Sequence, residues 1–591
     1  METLPELLTA ALAQPRERAL AERLGAPNWS YTSSSRLAER MAAIGYAIRN
    51  AGLEPGDRVA LLSENRVDWL AADFGTLAAG CVVVPVFATL ALDQLEYIFK
   101  DCGAKLAFVE TAADADRLRG SCPSAPRCIY FDGTGPDSLA EFEAGGAAAA
   151  HADPGGVASF TKDVSANDLA VLIYTSGTTG NPKGVMLSHT NLVSNIHAGA
   201  AVLPKSVSEG NEVILSVLPF AHIFEHTDAL GFIHAHAQLH ITQAQYLAAD
   251  LKSARPVLMA LVPRILERVL GGIHAKAKAD GGVRARLVPW ALEVGRAYAE
   301  VTVAGKRPGG ALALQYAIAK KLVLSKIKPA VGLDRLAYFV SGSAPLHRDI
   351  ALTFLGMGVK ISEGYGLTET SPIVTANPPD AIRYGSVGKP IEGVSIKTAP
   401  DGEILVKGPN VMQGYYHLPG EHPFDEDGWF KTGDIGEIDS DGYLFITDRK
   451  KELIKTSTGK YIAPGRVESA LKRSIYIEQC FVIGDGRSFP LALVSPNWAL
   501  LRRDFGIPST VSDAAISQRT DVRDFLTKEV TEKTADLASF EQIRRVAVLP
   551  RDLTIEDGEL SPTLKIKRRI VEKKFADVIE AAYKGSPLGS R

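Results

Sequence analysis

The segment with the clearest residue types for phosphate chemistry is 174–184, YTSGTTGNPKG, which combines glycines, hydroxyl side chains and one lysine. Glycines permit tight turns, and the backbone amides and hydroxyl groups of such a loop can surround phosphate oxygens. Lys183 adds a positive charge, although its spacing from Gly180 and the glycine after it differ from the GxxxxGK[ST] P-loop. We therefore predict a polyphosphate-binding loop, with a plain glycine-rich connection as the alternative.

A second pattern, H-x-x-E-H, lies in the apolar segment 218–226, LPFAHIFEH. It is the pattern of inverzincin zinc sites, in which two histidines and a third ligand bind the metal. His234, His236 and His240 follow as candidate third ligands. A structural contact between histidine and glutamate is a second interpretation, and the lining of an apolar pocket is a third.

The elements that must position these residues follow an α/β pattern. Short apolar runs at 59–62, 82–86 and 170–174 alternate with longer helical patterns, and the last run directly precedes the glycine-rich loop. The stretch 141–156 is rich in alanine, glycine and proline, and we expect a surface connection there.

The sequence pattern changes in the C-terminal third, where Asp-Gly pairs separate short apolar runs. Asp-Gly pairs at 401–402, 427–428 and 441–442 predict β-hairpins in a smaller, β-rich subdomain. Beyond it, a strand at 479–483 and a helix at 522–537 indicate a mixed unit. We predict an N-terminal α/β domain over residues 1–447, whose β-rich part begins at about 380, and a small α+β C-terminal domain over 448–591.

Composition limits the class of protein. A chain of 591 residues is too long for one core, and 46% hydrophobic with 23% charged residues is ordinary for a globular enzyme. A net charge of -3 gives no reason to expect a nucleic-acid partner. Five scattered cysteines without a CxxC pair fit a reducing compartment. The N-terminal residues lack a secretory pattern and no long apolar stretch occurs, so we expect a cytoplasmic protein.

Further motifs follow the loop in a fixed order: SGSAP at 341–345, EGYGLTET at 363–370, KTGD at 431–434, DRKKELI at 448–454 and PTLKIKR at 562–568. Together with 174–184 they resemble the adenylate-forming superfamily of acyl-CoA synthetases, firefly luciferases and peptide-synthetase adenylation domains. The resemblance covers roughly residues 30–575. It implies that a fatty acid reacts with ATP to give acyl-AMP and pyrophosphate, and that the acyl group then passes to coenzyme A. Transfer to a carrier protein is the alternative.

The resemblance also assigns roles at the nucleotide site. Residues 175–180 and Lys183 would hold the β,γ-phosphates, while Tyr365 would stack on adenine and Asp434 would bind the ribose hydroxyls. Catalytic roles fall to Lys565, Glu369 and Thr175, of which Glu369 and Thr175 would hold Mg²⁺. The full set of implied cofactor-binding residues is Thr175, Ser176, Gly177, Thr178, Thr179, Gly180, Lys183, Gly342, Ser343, Ala344, Glu363, Gly364, Tyr365, Gly366, Thr368, Asp434, Ile446, Arg449 and Lys565.

The C-terminal domain would be mobile, because the superfamily rotates it between the two half-reactions. Lys451 occupies the usual hinge position, where aspartate or lysine is typical. Lys565 occupies the place of the catalytic lysine, which reaches the α-phosphate and the carboxylate. Lys567 is a close alternative within the same basic run.

The acid substrate is predicted to have an uncharged tail. Segment 218–226 falls where the superfamily places a wall of the acyl pocket, so His222 and Phe220 are candidate substrate-binding residues. Amino-acid-activating relatives carry an aspartate near the position of His222, and none stands there. Segment 262–268 and the helical insert through 312–321 resemble long-chain fatty-acid synthetases, which favours a long or medium-long chain.

Residues 264–330 are strongly basic, with thirteen Lys or Arg against four Asp or Glu. One interpretation is attraction to an anionic membrane surface, in which the fatty acid partitions. The other is a set of solvated helix faces that point in several directions. The sequence leaves the oligomeric state open.

Overall fold

The computed structural model describes residues 2–25, 28–153, 156–162, 164–175, 181–208, 210, 212–450, 453–457, 460–560 and 566–584. These residues form a mixed α/β structure with a large N-terminal part and a smaller C-terminal part, as the sequence predicts. None of the helices in these ranges is both long and apolar enough to cross a membrane.

The N-terminal part opens with alternating helices and strands. Up to the predicted phosphate loop these are α1 Leu4–Leu12, β1 Leu20–Gly25, β2 Asn28–Thr32, α2 Ser34–Asn50, β3 Arg58–Leu62, α3 Val67–Ala78, β4 Val82–Pro85, α4 Leu92–Cys102, β5 Leu106–Thr111, α5 Ala112–Ser121, β6 Arg127–Asp132, α6 Leu139–Ala152, α7 Ala158–Thr161 and β7 Leu169–Thr175. The apolar runs predicted as strands at 59–62, 82–86 and 170–174 are confirmed as β3, β4 and β7.

The expectation of a surface connection at 141–156 is wrong, because most of this stretch belongs to α6. Alanine has the highest helix propensity of all residues, and the two glycines do not prevent the helix. One of them is required by packing, since a Cβ on Gly146 would lie 1.9 Å from the carbonyl oxygen of Ala43 in α2. Helix α6 therefore lies directly on α2 at a distance that only glycine permits.

The second α/β unit follows the loop. Its elements are β8 Lys183–Ser188, α8 His189–Ala200, α9 Lys205–Ser208, β9 Val213–Ser216, α10 Ile223–His234, β10 Gln238–Ile241, α11 Leu247–Ala254, β11 Leu258–Leu261, α12 Pro263–Asp280, α13 Arg284–Val303, α14 Gly310–Ala319, a π-helical turn Lys320–Leu324, α15 Ser325–Ala330, β12 Tyr338–Ser341, α16 Arg348–Gly356, β13 Lys360–Gly366, a 3₁₀ turn Thr368–Thr370, β14 Ile373–Ala376 and β15 Lys389–Pro390.

Two large sheets organise these elements. One has the order β18-β8-β7-β4-β3-β5-β6, in which β18 is the short strand Gly414–Tyr415. The other has the order β15-β14-β13-β12-β11-β9-β10-β1-β2. Most neighbouring strands are parallel, and their apolar, β-branched sequences suit sheets covered on both faces. The phosphate loop follows β7 in the first sheet, and segments 342–344 and 367–370 follow β12 and β13 in the second.

The predicted β-rich part is a four-stranded antiparallel sheet in the order β16-β17-β19-β20. Its strands and the short strand that precedes β19 are β16 Ser395–Thr398, β17 Glu403–Lys407, β18 Gly414–Tyr415, β19 Phe430–Ile438 and β20 Leu444–Arg449. The Asp-Gly pairs at 401–402 and 441–442 form hairpin turns, as predicted. Strand β20 continues past residue 447, so residues 448 and 449 belong to this sheet.

The C-terminal part packs helices around a three-stranded sheet in the order β23-β24-β25. Its elements are β21 Ile454–Lys455, β22 Tyr461–Ile462, α17 Pro464–Leu471, β23 Ile477–Ile483, β24 Leu491–Pro496, α18 Trp498–Asp504, α19 Asp513–Ser517, α20 Thr520–Thr534, β25 Arg545–Val548, α21 Arg568–Lys574 and α22 Ala576–Lys584. The predicted strand at 479–483 and helix at 522–537 are confirmed as β23 and α20. The mobility of this part stays a prediction.

Candidate active site

The predicted phosphate loop is carried by a β-hairpin. Strand β7 ends at Thr175 and β8 begins at Lys183, and these two residues are paired across the antiparallel ladder. The Thr175 hydroxyl donates to the Lys183 carbonyl oxygen at 3.5 Å. Residues 176–180, which include Ser176, Gly177, Thr178, Thr179 and Gly180, lie outside the described residues. The hairpin therefore brings Thr175 and Lys183 to the two ends of the loop.

Lys183 is held by one residue of β18 and one residue of the segment that follows it. Its Nζ lies 2.6 Å from Oε1 of Glu421 and 5.0 Å from the centre of the Tyr415 ring. The Glu421 side chain is 46% exposed. An exposed ion pair contributes only about 0–1 kcal/mol. A phosphate can therefore replace Glu421 beside Lys183 at little cost, while the contact with the aromatic face is kept.

Glu369 lies at the other side of the same tyrosine. The Tyr415 hydroxyl donates to Oε1 of Glu369 at 2.9 Å, and burial together with the Glu369 carboxylate raises the pKa of Tyr415. The 3₁₀ turn that carries Glu369 is fixed through its backbone carbonyl, which accepts from the Met412 amide at 2.9 Å. Carboxylate and hydroxyl oxygens such as those of Glu369 and Thr175 are the hard ligands that Mg²⁺ prefers, so the residues present fit this ion.

The residues predicted to bind adenine lie where β12 and β13 end side by side. Their last paired residues are Ser341 and Glu363, so Gly342 and Gly364 follow at the same edge. A Cβ on Gly342 would lie 3.3 Å from the Phe224 ring and 3.6 Å from the Gly364 carbonyl oxygen. Gly342 is therefore enclosed on two sides. Ser343 next to it has a φ of 66°, a left-handed conformation that is uncommon for residues other than glycine.

The predicted ribose ligand Asp434 lies in β19 at the end of this same site. Its Oδ2 accepts from the Tyr365 hydroxyl at 2.7 Å, and its Oδ1 lies 3.2 Å from Nε of Arg449, its partner across the β19–β20 ladder. Burial, and then the Asp434 carboxylate, raise the pKa of Tyr365. The tyrosine therefore stays protonated and donates a hydrogen bond to Asp434. Ile446 pairs with Gly436 in the same ladder.

For the predicted cofactor-binding residues Glu363 and Thr368, the structure gives a position in the fold. The Glu363 side chain is buried, and this burial raises the pKa of its carboxyl to about 8. Its role toward the nucleotide stays a prediction. Thr368 begins the 3₁₀ turn, Gly366 ends β13, and Ala344 follows the left-handed Ser343.

The H-x-x-E-H segment does not form a zinc site. His226 Nε2 lies 3.0 Å from Oδ2 of Asp73, both fully buried, whereas Glu225 accepts from the Ser216 hydroxyl. His222 instead caps α10, because its Nδ1 accepts from the Phe224 amide at 3.2 Å. Within the described ranges, no group of three His, Cys, Asp or Glu side chains could hold a metal.

The two predicted substrate-binding residues have different environments. His222 is half-buried, whereas Phe220 has no exposed surface and packs on Trp69 at 5.4 Å between ring centres. Phe220 is therefore a core residue, and its contact with the substrate stays a prediction. Phe224, which the sequence does not single out, lies against Gly342, the first residue predicted to border the adenine.

The C-terminal part contacts the segment that follows β4 of the first sheet. Lys567, together with Ile555, Glu556, Gly558 and Leu560, lines a cavity of about 170 Å³ whose other wall is formed by Thr89, Leu90, Ala91 and Gln94. The predicted catalytic Lys565 and hinge Lys451 both lie outside the described residues. Lys450, just before the predicted hinge, is fixed to the β-rich sheet by ion pairs with Asp401 and Glu403 at 2.6 and 2.7 Å.

Three residues of this site escaped the sequence reasoning: Tyr415, Glu421 and Phe224. Tyr415 connects Lys183 with Glu369, yet it lies between two recognised motifs and belongs to neither. The only local signal is the pair Tyr415-Tyr416 after Gly414, two aromatic residues in a polar segment rich in turns. Their partners are distant in sequence, so only the folded chain reveals the contact.

Comparison with known proteins supplies the family. The model of the AMP-binding enzyme family matches residues 8–416, and that of the AMP-binding enzyme C-terminal domain matches 451–587. A long-chain-fatty-acid–CoA ligase of Mycobacterium bovis, FadD15, is 34% identical over 94% of this chain and 92% of its own. ACSBG2 of Xenopus laevis, also named a long-chain-fatty-acid–CoA ligase, is 31% identical over 96% of this chain and 82% of its own.

The fold has counterparts among solved structures. The ATP-bound MatB of Rhodopseudomonas palustris superimposes with a TM-score of 0.70 at 24% identity, covering 98% of this chain and all of that one. The shared fold includes both the N-terminal and the C-terminal part.

Proposed function

Because the chain belongs to the AMP-binding enzyme family, we propose that it is an ATP-dependent ligase that joins a long-chain fatty acid to coenzyme A. The observation that carries the proposal is a pair of contact groups, Asp434 with Tyr365, and Tyr415 with Glu369 and Lys183. Tyr365 in β13 and Glu369 in the 3₁₀ turn after it connect the two groups along the chain. The first group would offer a carboxylate to the ribose, and the second would offer a cation to the phosphates.

The chemistry explains why such groups are needed. A carboxylate that attacks the α-phosphate of ATP meets another anion, and negative charge builds up as the bond to phosphorus forms. Lys183 would hold the outer phosphates and thereby orient pyrophosphate as the leaving group. Mg²⁺, when bound by Glu369 and Thr175, would neutralise the phosphate oxygens. Asp434 would fix the ribose and so set the position of the α-phosphate relative to the acid.

The C-terminal part would supply the remaining cation. Lys565 is proposed to reach the α-phosphate during adenylation, and its neighbour Lys567 already faces Thr89–Gln94 across the cavity. Rotation about Lys451 would then expose the acyl-adenylate to coenzyme A. Lys450 supports this pivot, because its two ion pairs fix the chain up to that residue. The rotation of the C-terminal part would begin at Lys451.

The fatty acid as substrate is supported by the names of the relatives and by the wall of the site. Both curated relatives are named long-chain-fatty-acid–CoA ligases. The segment around Phe220, Phe224 and Ile223 is apolar and buried, which suits an uncharged acyl chain. The five cysteines are free and buried, which supports the proposed cytoplasmic location.

The test measures both half-reactions on one preparation. With palmitate, ATP and Mg²⁺, we expect slow pyrophosphate release without coenzyme A, and rapid release with stoichiometric acyl-CoA once it is added. Pyrophosphate that does not respond to coenzyme A would indicate transfer to a carrier protein instead. A panel of C6 to C18 acids defines the chain length. No pyrophosphate with any acid would refute the proposal.

The metal is tested on the same assay. Chelation by EDTA should abolish activity, and Mg²⁺ alone should restore it. Glu369→Gln should raise the Mg²⁺ concentration required, while Glu421→Gln, whose side chain contacts Lys183 from the exposed side, should not. Activity that returns only with zinc would contradict this assignment.

A further inference from the structure

The helical hairpin of α13 and α14 has an unusually apolar outer surface. The described residues include eleven exposed large hydrophobic side chains, and five of them fall between residues 283 and 322, a small fraction of the chain. We call them the hairpin face: Val283, Trp290, Leu314, Ile318 and Leu322. The most exposed are Val283 at 77% and Leu314 at 64%. Scattered single apolar residues are normal on protein surfaces, but a cluster indicates a contact surface.

The spacing of these residues arranges them in two stripes, one along each helix. Leu314, Ile318 and Leu322 recur every fourth residue along α14 and the π-helical turn, so they form one stripe. Val283, which caps α13, and Trp290 are seven residues apart and therefore lie on one side of α13. The two helices are joined by Tyr298 and Tyr316, whose rings stack at 3.9 Å and 11°.

Positive charge surrounds this apolar stripe. All four acidic residues of segment 264–330 are neutralised by arginine or lysine, for example Asp280 by Arg284 and Glu293 by Arg296. Lys320, Lys321 and Lys326 are exposed and have no ion-pair partner among the described residues. Three positive charges without an acidic partner in the described ranges therefore lie within four residues of Leu322 in the chain.

We propose that the hairpin face docks on the surface of an anionic lipid bilayer. The inference rests on the proposed function, because a long-chain fatty acid partitions into bilayers and would reach the enzyme from one. Apolar side chains that enter the interface and lysines that face acidic headgroups are the two contributions that hold a protein on such a surface. A second copy of this chain fits less well, since the same lysines would face each other across a symmetric contact.

The experiment is co-sedimentation of the full chain with vesicles, without ATP or coenzyme A. Vesicles of phosphatidylcholine alone are compared with vesicles that contain one third phosphatidylglycerol. We expect binding to the anionic vesicles only, and loss of most binding when the salt concentration rises from 0.1 to 0.5 M, because the Debye length falls to a few ångströms. Equal binding to both vesicle types, or none to either, would refute the proposal.

Substitutions test whether the hairpin face is the surface that binds the vesicles. Leu314→Ser, Ile318→Ser and Leu322→Ser combined should weaken vesicle binding at least tenfold, and Lys320→Gln with Lys321→Gln should do so in a salt-dependent way. The matched control is Ile475→Ser, since Ile475 is 65% exposed but lies outside the hairpin face. It should bind as the unchanged protein does. Equal loss in the control, or no loss in the triple variant, would overturn the assignment.

Two further readouts separate the alternatives. Trp290 fluorescence should shift to shorter wavelength on anionic vesicles, and Trp290→Phe should remove that shift. Sedimentation velocity without lipid should give the same mass for the triple variant and the unchanged protein, and a smaller mass for the variant would show that a second copy covers the face instead. Vesicle binding is measured without catalysis, so failure of ligase activity and failure of docking are distinguishable.

Discussion

Replacing Asp434 by asparagine is expected to weaken ATP binding far more than it weakens the fold. In the structure Asp434 accepts from the Tyr365 hydroxyl and contacts Nε of Arg449. Arg449 can only donate, so the asparagine oxygen must face it and the amide group must face Tyr365. The hydroxyl of Tyr365 can turn and accept, and the local structure survives. The charge that would accept the ribose hydroxyls is lost.

The size of the effect follows from the hydrogen bonds to ionised groups. Each contributes about 1.5–3 kcal/mol, so the loss of one charge-assisted contact raises the KM for ATP about 10- to 150-fold. The KM for the fatty acid should not change. The assay is ATP–pyrophosphate exchange at saturating acid, in which only the ATP concentration is varied.

Tyr365→Phe is the matched control, because it keeps both the carboxylate of Asp434 and an aromatic face for adenine. It removes a buried hydrogen bond, so the melting temperature should fall, while the KM for ATP stays within about threefold. A rise in the ATP KM of less than threefold in Asp434→Asn would refute the ribose assignment. A larger rise in Tyr365→Phe than in Asp434→Asn would show that the tyrosine hydroxyl, not the carboxylate, binds the nucleotide.

The other predictions concern catalysis, packing and pH. Lys565→Ala should reduce adenylate formation about a hundredfold or more and spare thioester formation from added acyl-adenylate; a loss below tenfold would favour Lys567. Gly146→Ala should lower the melting temperature despite a gain in helix propensity of about 1 kcal/mol, whereas Gly145→Ala, with nothing within 4 Å of its Cβ, should raise it. The pKa of Glu363 is raised from 4.5 to about 8, so its neutral form stabilises the fold below pH 4.5 and that contribution is lost as pH rises through 8. Glu363→Gln should flatten this fall in thermal scans between pH 5.5 and 9, and an unchanged slope would contradict the buried assignment.

The strands around the phosphate loop could be predicted from sequence because their signals are local. The run before Thr175 is apolar and β-branched, and the Asp-Gly turns at 401–402 and 441–442 specify hairpins by themselves. The order of the motifs was sufficient to recognise the family. These features do not depend on which distant segments meet.

The features that were missed depend on tertiary contacts. Helix α6 was mistaken for a connection, because glycine within a segment normally indicates a loop, and its contact with Ala43 appears only when α2 is in place. Tyr415 was overlooked because its two partners lie far from it in the chain. The histidine pattern was ambiguous until Asp73, from a separate helix, was found beside His226.

Strand β20 has a consequence for how nucleotide and domain motion are linked. It carries Arg449 beside Asp434 and passes directly into Lys450, which is anchored by Asp401 and Glu403 just before the proposed pivot. If contact of the nucleotide with Arg449 favours one domain orientation, that orientation must bind the nucleotide more tightly by the same factor, because coupling free energies are reciprocal. A tenfold bias, about 1.4 kcal/mol, would then appear equally in the orientation equilibrium and in the affinity for AMP. The affinity for AMP and the equilibrium between the two domain orientations would therefore report the same coupling free energy.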